Sequence, residues 1–480
     1  LYFLWYFIYN IQNTENMKHN PFPYPIPAAS LCLIVGLLLL PFGACKKHDS
    51  PHPTGDDKRV NHVVVIYLEN HSFDNLYGQF PGANGLSNAS PSSITQLDSA
   101  GHPYAFLPPV HGSTAFPTNL PNTYFDIDQY VPSTMLIPDV LHRYYQEQEQ
   151  IDGGRMDKYS LYNSSGGLSQ GYYQTSLLPL LNMAQRYTLC DNFFHSAFGG
   201  SFLNHIWLIA SASPVFPNAP ASIVSQLDAS GNLIKDGVVT PDGYVVNTSF
   251  TVNTPHPSGS NSATLVPNQT MPTIGDRLSA KRISWAWYSG GWNNAIAGNP
   301  DPTFQFHHQP FAYFANYADG TSAKAAHLKD ETDFIAAAKS GTLPSVSFVK
   351  PLGLDNEHPG YANLEQGENH TLDLINDVLN GPDGKDAVII ITYDENGGFW
   401  DHVAPPVIDP KWGPGTRVPA IIISPFAKRG FVDHTRYETV SILSFIEKRW
   451  DLTPLASRDR GANALENAFD FDQDKDNDKK

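Results

Sequence analysis

Three stretches of the chain are nearly unbroken apolar runs that stop abruptly at polar residues: HVVVIYLEN (62–70), DAVIIITYDENGG (386–398) and RVPAIIISPFA (417–427). A strand with one wet face alternates apolar and polar positions. A continuous run of this length predicts a strand buried on both faces, as in a sheet covered by helices. Other segments repeat their apolar residues at helical spacing, and SLLPLLNMAQRY (176–187), TLDLINDVLNG (371–381) and HTRYETVSILSFIEKRW (434–450) are predicted helices. Buried strands alternating with such helices predict an α/β fold with helices on both faces of a sheet.

The pattern changes in three places. Residues 213–275 are rich in Ser, Thr, Asn, Pro and Gly with β-like pieces such as GYVVNTSFTV, which predicts a β-containing insertion or cap on a main domain spanning 59–455. Residues 456–480 end in DFDQDKDNDKK and are expected to form an acidic tail. At the other end, residues 1–16 precede Met17 and are read as upstream mis-translation. From Met17 a basic start, the run LCLIVGLLLL and the small residues of FGAC (42–45) have the order of an export signal. FGAC resembles a bacterial lipobox. The expectation is a signal peptide over 17–45, a lipidated Cys45 as membrane anchor and a tether over 46–58. The product would be exported and held in the cell envelope, or secreted if Cys45 carries no lipid. The apolar run falls short of the roughly 20 residues a spanning helix needs.

Charge narrows the function. The 30 basic and 47 acidic residues give a net charge of −17, which speaks against a sequence-independent nucleic-acid binder. It leaves room for an anionic substrate in a pocket neutralised locally by a cation. Of the cysteines Cys32, Cys45 and Cys190, only Cys190 lies in the body of the chain, so no internal disulfide framework is expected there. Oligomeric state is not legible.

The candidate chemistry sits where the apolar runs stop. One ends in Glu69-Asn70, another in Asp394-Glu395 followed by a glycine turn and Asp401-His402. Carboxylates brought to one sheet edge repel each other unless a cation or shifted protonation intervenes, and oxygen ligands suit a divalent metal. Either pair alone is better read as a helix or turn cap; the two together favour a metal. The stretch GGSFLNH (199–205) adds a nucleophile. Gly199 and Gly200 permit close backbone approach, Ser201 opens a predicted helix whose N–H groups suit an anion, and Asn204 and His205 lie one turn on. A metal beside Ser201 would favour its alkoxide. The competing reading makes Ser201 an ordinary N-cap. The stretch is not G-x-S-x-G. His142, His307, His308 and His358 are each most simply structural; together they offer phosphate contacts or proton donors.

Taken in order, ENHSFDNLYG, CDNFFHSAFGGSFLNH, NEHPGY and TYDENGGFWDHVAPP resemble the bacterial phosphoesterase family that joins phospholipases C to acid phosphatases, over about residues 60–455. The resemblance implies an alkaline-phosphatase-like three-layer α/β/α sandwich and metal-assisted attack of a Ser or Thr on phosphorus. It makes Glu69, Asn70, Ser201, Asp394 and Glu395 the ligand and nucleophile set for a divalent metal. It makes His142, Asn204, His307, His308 and His358 substrate contacts or acid–base groups, with His402 behind the ligands or beside the phosphate. The phospholipase branch commonly has Gly-Pro-Thr or Gly-Pro-Ser where this chain has Gly199-Gly200-Ser201, and often His where it has Asn396. With HRYYQEQEQIDGG and FHHQPF, these departures favour the acid-phosphatase branch. The expected activity is hydrolysis of phosphomonoesters through a phosphoserine. The alternatives are a phospholipase C acting on phosphodiester headgroups and, against the intact acidic pairs and Ser201, an inactive surface binding protein. No C-x-P-x-R or S-x-P-x-R sulfatase motif occurs at Cys190 or Ser201.

Overall fold

The structure is a computed structural model that describes residues 57–472. The expected leader, Cys45 and most of the tether lie outside the described residues. The main sheet has eight strands: β1 (His62–Leu68), β2 (Thr188–Cys190), β3 (Trp285–Ser289), β4 (Leu328–Asp330), β5 (Val346–Lys350), β6 (Ala387–Tyr393), β7 (Ala420–Ile423) and β8 (Phe431–Asp433). Their order across the sheet is β8-β2-β7-β6-β1-β5-β3-β4. From β6 to β4 all neighbours are parallel, whereas β7 runs antiparallel to both β6 and β2. The three apolar runs are thus β1, β6 and β7, although continuous burial could not show that β7 runs the other way.

Both faces of the sheet are covered. Tyr67 of β1 and Tyr393 of β6 lie on opposite faces, because Tyr67 pairs in register with Thr392 and Leu68 with Tyr393. On the Tyr67 face lie α3 (Ser201–Ala210), whose Asn204 carbonyl accepts the Tyr67 hydroxyl at 3.4 Å, and α5 (Thr439–Arg449), which packs on α3. On the Tyr393 face lies α4 (Leu364–Asn380), whose Glu368 approaches the tyrosine. Two shorter helices, α1 (Phe73–Tyr77) and α2 (Tyr144–Ile151), lie on the carboxyl side of β1 and in the long connection that follows it. The helix expected over 176–187 shrinks to Leu181–Arg186 because Pro179 disfavours helical backbone just before it.

The insertion at 213–275 consists of short bridges, such as Val215 to Tyr244 and Thr251 to Val266, and it buries Val239, Val245, Val246 and Val266 in the main core. Residues 456–472 do not run on as a tail. They form a short helix over Ser457–Gly461 and bury Ala464, Leu465 and Ala468, so the apolar residues of GANALENAF outweigh the charges beyond them. No helix among the described residues is long and apolar enough to cross a membrane.

Candidate active site

Parallel register sets the site. Leu68 lies beside Tyr393, so the residues leaving β1 and β6 emerge side by side, and the Asp394 N–H donates to the Leu68 carbonyl at 3.1 Å. Glu69 and Asn70 therefore face Asp394 and Glu395, all of them buried. Asn70 has a left-handed backbone (φ 70°), which Asn tolerates better than most residues, and its N–H donates to Asp394 Oδ1 at 3.3 Å. The glycine turn after Glu395 is required by this contact. Gly397 has φ 62°, and a Cβ there would come within 2.2 Å of the Asn70 carbonyl oxygen.

Ser201 is the first residue of α3, with Gly200 in the N-cap position. Its hydroxyl caps nothing. It lies 3.3 Å from Glu69 Oε2 and 3.4 Å from Asn70 Oδ1. That placement removes the N-cap reading and joins the nucleophile candidate to the acidic cluster.

The histidines are oriented in one recurring way. His205 Nδ1 lies 2.7 Å from the Ser201 carbonyl, His142 Nδ1 2.5 Å from that of Val140 and His358 Nδ1 2.5 Å from that of Pro359. An imidazole that gives Nδ1–H to a carbonyl presents Nε2 elsewhere. His142 Nε2 is directed at the Asn70 amide (3.3 Å) and Glu395 (3.7 Å), and His358 Nε2 at Glu69 (3.9 Å). His205 Nε2 is buried without a hydrogen-bond partner. His308 stacks on His205 with ring centroids 5.0 Å apart and places Nε2 2.6 Å from Glu69 Oε1; His307 packs against His308.

Lys350 was not anticipated. It ends β5, fully buried, with Nζ 2.5 Å from Glu69 Oε1. Lys350 and His308 thus both face this oxygen at ion-pairing distance. Burial alone would raise the Glu69 carboxyl, yet His308 and Lys350 hold it well below the ordinary range. Burial, then the charge of Glu69, pushes Asp394 well above it; burial and Asp394 do the same to Glu395. His205 is driven well below its usual range by burial, then by Lys350 and His308, and burial brings His308 to about 4. Neutral imidazoles and crowded carboxylates are ligands for a cation. Glu69, His205 and His308 each offer a ligand atom within 4.8 Å of the others. His205 Nε2, Asp394 Oδ2 and Glu395 Oε1 are buried without hydrogen-bond partners, beside the Glu69–His308 pair. The residues present fit a divalent metal, with imidazole nitrogen adding to the oxygen set expected from sequence.

Two expected residues face elsewhere. The Asn204 amide is taken up by the loop before Ser201, donating to the carbonyls of Ala197 (3.0 Å) and Gly199 (3.1 Å) and accepting the Ala197 N–H (3.0 Å). His402 belongs to a separate buried network. Its Nδ1 lies 2.5 Å from Asp74, and Arg417 bridges Asp74 and Asp401 at 3.1 Å each. That network ties the turn after β1 to the turn after β6 and satisfies its own charges, so although Asp74, Asp401 and His402 also cluster, Arg417 already supplies their cation. A cavity of about 540 Å³ lined by Trp207, Tyr244, Trp412 and Arg458 lies at the other end of α3 and includes none of the site residues.

Asn204 gives a direct test. Asn204→Ala should cost about 2–3 kcal/mol of stability, since it strands buried backbone groups, and leave KM for a phosphate ester unchanged. A substrate contact would give the reverse, a raised KM at unaltered melting temperature.

The chain resembles known proteins over most of its length. The family model described as "Phosphoesterase family" matches residues 60–453. The non-hemolytic phospholipase C of Pseudomonas aeruginosa is 24% identical over 454 residues, covering 87% of this chain and 58% of that protein. Phospholipase C B of Mycobacterium tuberculosis is 24% identical over 455 residues, covering 86% and 78% respectively. The chain thus spans less than two thirds of the Pseudomonas relative. Among solved structures, a protein of the alkaline phosphatase superfamily from Vibrio parahaemolyticus aligns over 70% of this chain and 77% of its own, at 10% identity and a TM-score of 0.32.

Proposed function

This chain belongs to the phosphoesterase family, and from that premise we propose that it hydrolyses phosphomonoesters through a phosphoserine on Ser201. The observation that carries the proposal is the Ser201 hydroxyl, turned away from any capping role and directed at Glu69 and Asn70. Glu69, Asn70, Asp394 and Glu395, with His205 and His308, would hold a divalent cation, which when bound favours the serine alkoxide and offsets phosphoryl charge.

The protein's own groups divide the rest. Ser201 Oγ forms the bond to phosphorus as the ester oxygen leaves. His142 and His358, anchored through Nδ1, carry Nε2 toward the reacting group, and an imidazolium there would give its Nε2 proton to the leaving oxygen and return to the neutral Nδ1–H form. The first N–H groups of α3 lack carbonyl partners within the helix and suit the phosphoryl oxygens. Water then attacks phosphorus, releasing phosphate and restoring the serine.

The relatives, phospholipases C, favour a second reading, a phospholipase C acting on diester headgroups. Gly200 and Asn396, which depart from that branch's usual residues, support the first. Kinetics on phosphomonoesters, phosphocholine diesters and sulfate esters, side by side with defined metals, test both. Faster turnover of the diester would replace the first reading with the second. Export and a lipid anchor at Cys45 belong to the same proposal; a mature N-terminus without lipid would remove the anchor.

A further inference from the structure

Glu147, on α2, lies outside the acidic cluster and is nearly inaccessible to solvent. Its two oxygens serve different strands of chain. Oε2 accepts the Gly199 N–H at 2.5 Å. Oε1 accepts the Thr416 N–H and hydroxyl, both at 2.9 Å, and lies 2.8 Å from His195 Nε2. The other nitrogen of His195 is 2.8 Å from the Ala197 carbonyl. One carboxylate thereby grips both ends of the short loop that delivers Ser201.

The loop has no slack for a side chain. Gly199 has φ 93°, and a Cβ on it would come within 2.7 Å of the Tyr144 backbone; one on Gly200 would meet the His142 carbonyl at 2.8 Å. The loop is thus pressed against the segment that carries His142 at one end and Glu147 at the other. His195 and the N–H groups of Gly199 and Thr416 outweigh burial and keep the carboxylate ionised, as an oxygen pair surrounded only by donors requires.

We infer that Glu147 is a positioning residue for the reaction: by holding the Gly199 peptide it fixes Ser201 Oγ relative to His142 and the acidic cluster. The inference rests on Ser201 being the nucleophile. Glu147→Gln tests it. Both oxygens face donors, so an isosteric amide must oppose its own NH₂ to one of them.

The measurement is the rate at which Ser201 is labelled by a radioactive aryl phosphate in an acid quench, with vanadate affinity and melting temperature taken on the same samples. Glu147→Gln should label on the order of 10- to 100-fold more slowly, the scale for a small displacement of a reacting group. Vanadate affinity should hold. Thr416→Val, which removes a donor from the far oxygen only, should label at the wild-type rate. Wild-type labelling kinetics in Glu147→Gln, even at a lowered melting temperature, would overturn the inference. So would equal slowing in Thr416→Val. If the glutamine variant does not fold, Glu147→Asp decides by the same rates, because it keeps the charge but withdraws the carboxylate by one bond. Failure of the wild type itself to label at Ser201 would instead remove the phosphoserine reading.

Discussion

Ser201→Ala is expected to lose on the order of a thousandfold or more in turnover, as when a nucleophile that acts as part of a unit is removed. Vanadate should still bind, because the groups facing the phosphoryl oxygens are untouched. Melting temperature should not fall. Gly200 occupies the N-cap position, the serine hydroxyl's contacts with Glu69 and Asn70 are long, at 3.3 and 3.4 Å, and alanine is the better helix former. An N-capping serine would behave oppositely, losing about 1 kcal/mol of stability with near-normal kinetics. The wild type quenched in acid during turnover should carry phosphate on Ser201. A stable and fully active Ser201→Ala protein would falsify the mechanism.

The parts of this site that were legible in sequence share a cause. Glu69-Asn70 and Asp394-Glu395 stand at the ends of apolar runs, and a run that ends abruptly marks the edge of a buried strand. The glycines before Ser201 announce close backbone approach and those after Asn396 a turn, and both pairs meet backbone in the fold. His205 was placed one turn from Ser201 by helical spacing alone. The residues that escaped notice share a cause too. Lys350 closes the strand VSFVK, where a lysine reads as the solvated end of an edge strand. Only the order of the sheet, with β5 next to β1, brings it to Glu69. Glu147 sits in YYQEQEQ, one of several polar residues on a polar helix, and nothing local says which of them turns inward. Asn204 shows the converse limit. Spacing placed it correctly on the helix, but an amide one turn from a nucleophile can serve the substrate or the loop, and its hydrogen bonds go to the loop. β2, β3, β4, β5 and β8 were not foreseen, and the apolar residues near 465 were masked by the charges after them.

Chelation is expected to abolish turnover and also to expose a pH-dependent cost of the acidic cluster, and that cost is the sharper test because it needs no substrate. Without a cation, burial and mutual repulsion raise Asp394 and Glu395 above ordinary carboxylates, while Glu69, beside His308 and Lys350, moves the other way. Unfolded, all three ionise near pH 4. Between that value and the raised folded values, Asp394 and Glu395 bind more protons folded than unfolded. Their contribution to stability therefore falls as pH rises through that window and is recovered on acidification. Glu69 has the opposite sign: its contribution is present above its unfolded value and is lost only as pH drops below it. Glu69 is therefore flat between pH 5.5 and pH 8, and the lowered imidazoles of His205 and His308 carry the opposite slope there, so the carboxylate contribution is read as the difference between the chelated wild type and chelated Asp394→Asn. Adding back a divalent metal should lift the pH 8 value most, because ligands must be deprotonated to bind, and a hundredfold excess over Kd is worth about 2.7 kcal/mol. Asp394→Asn should raise the melting temperature of the chelated protein more at pH 8 than at pH 5.5 and abolish turnover, since the amide removes a repelling charge that the bound cation requires. A chelated Asp394→Asn protein that melts no higher than the chelated wild type at pH 8, or a wild type that keeps full activity with no metal by elemental analysis, would show that these carboxylates do not form a cation site.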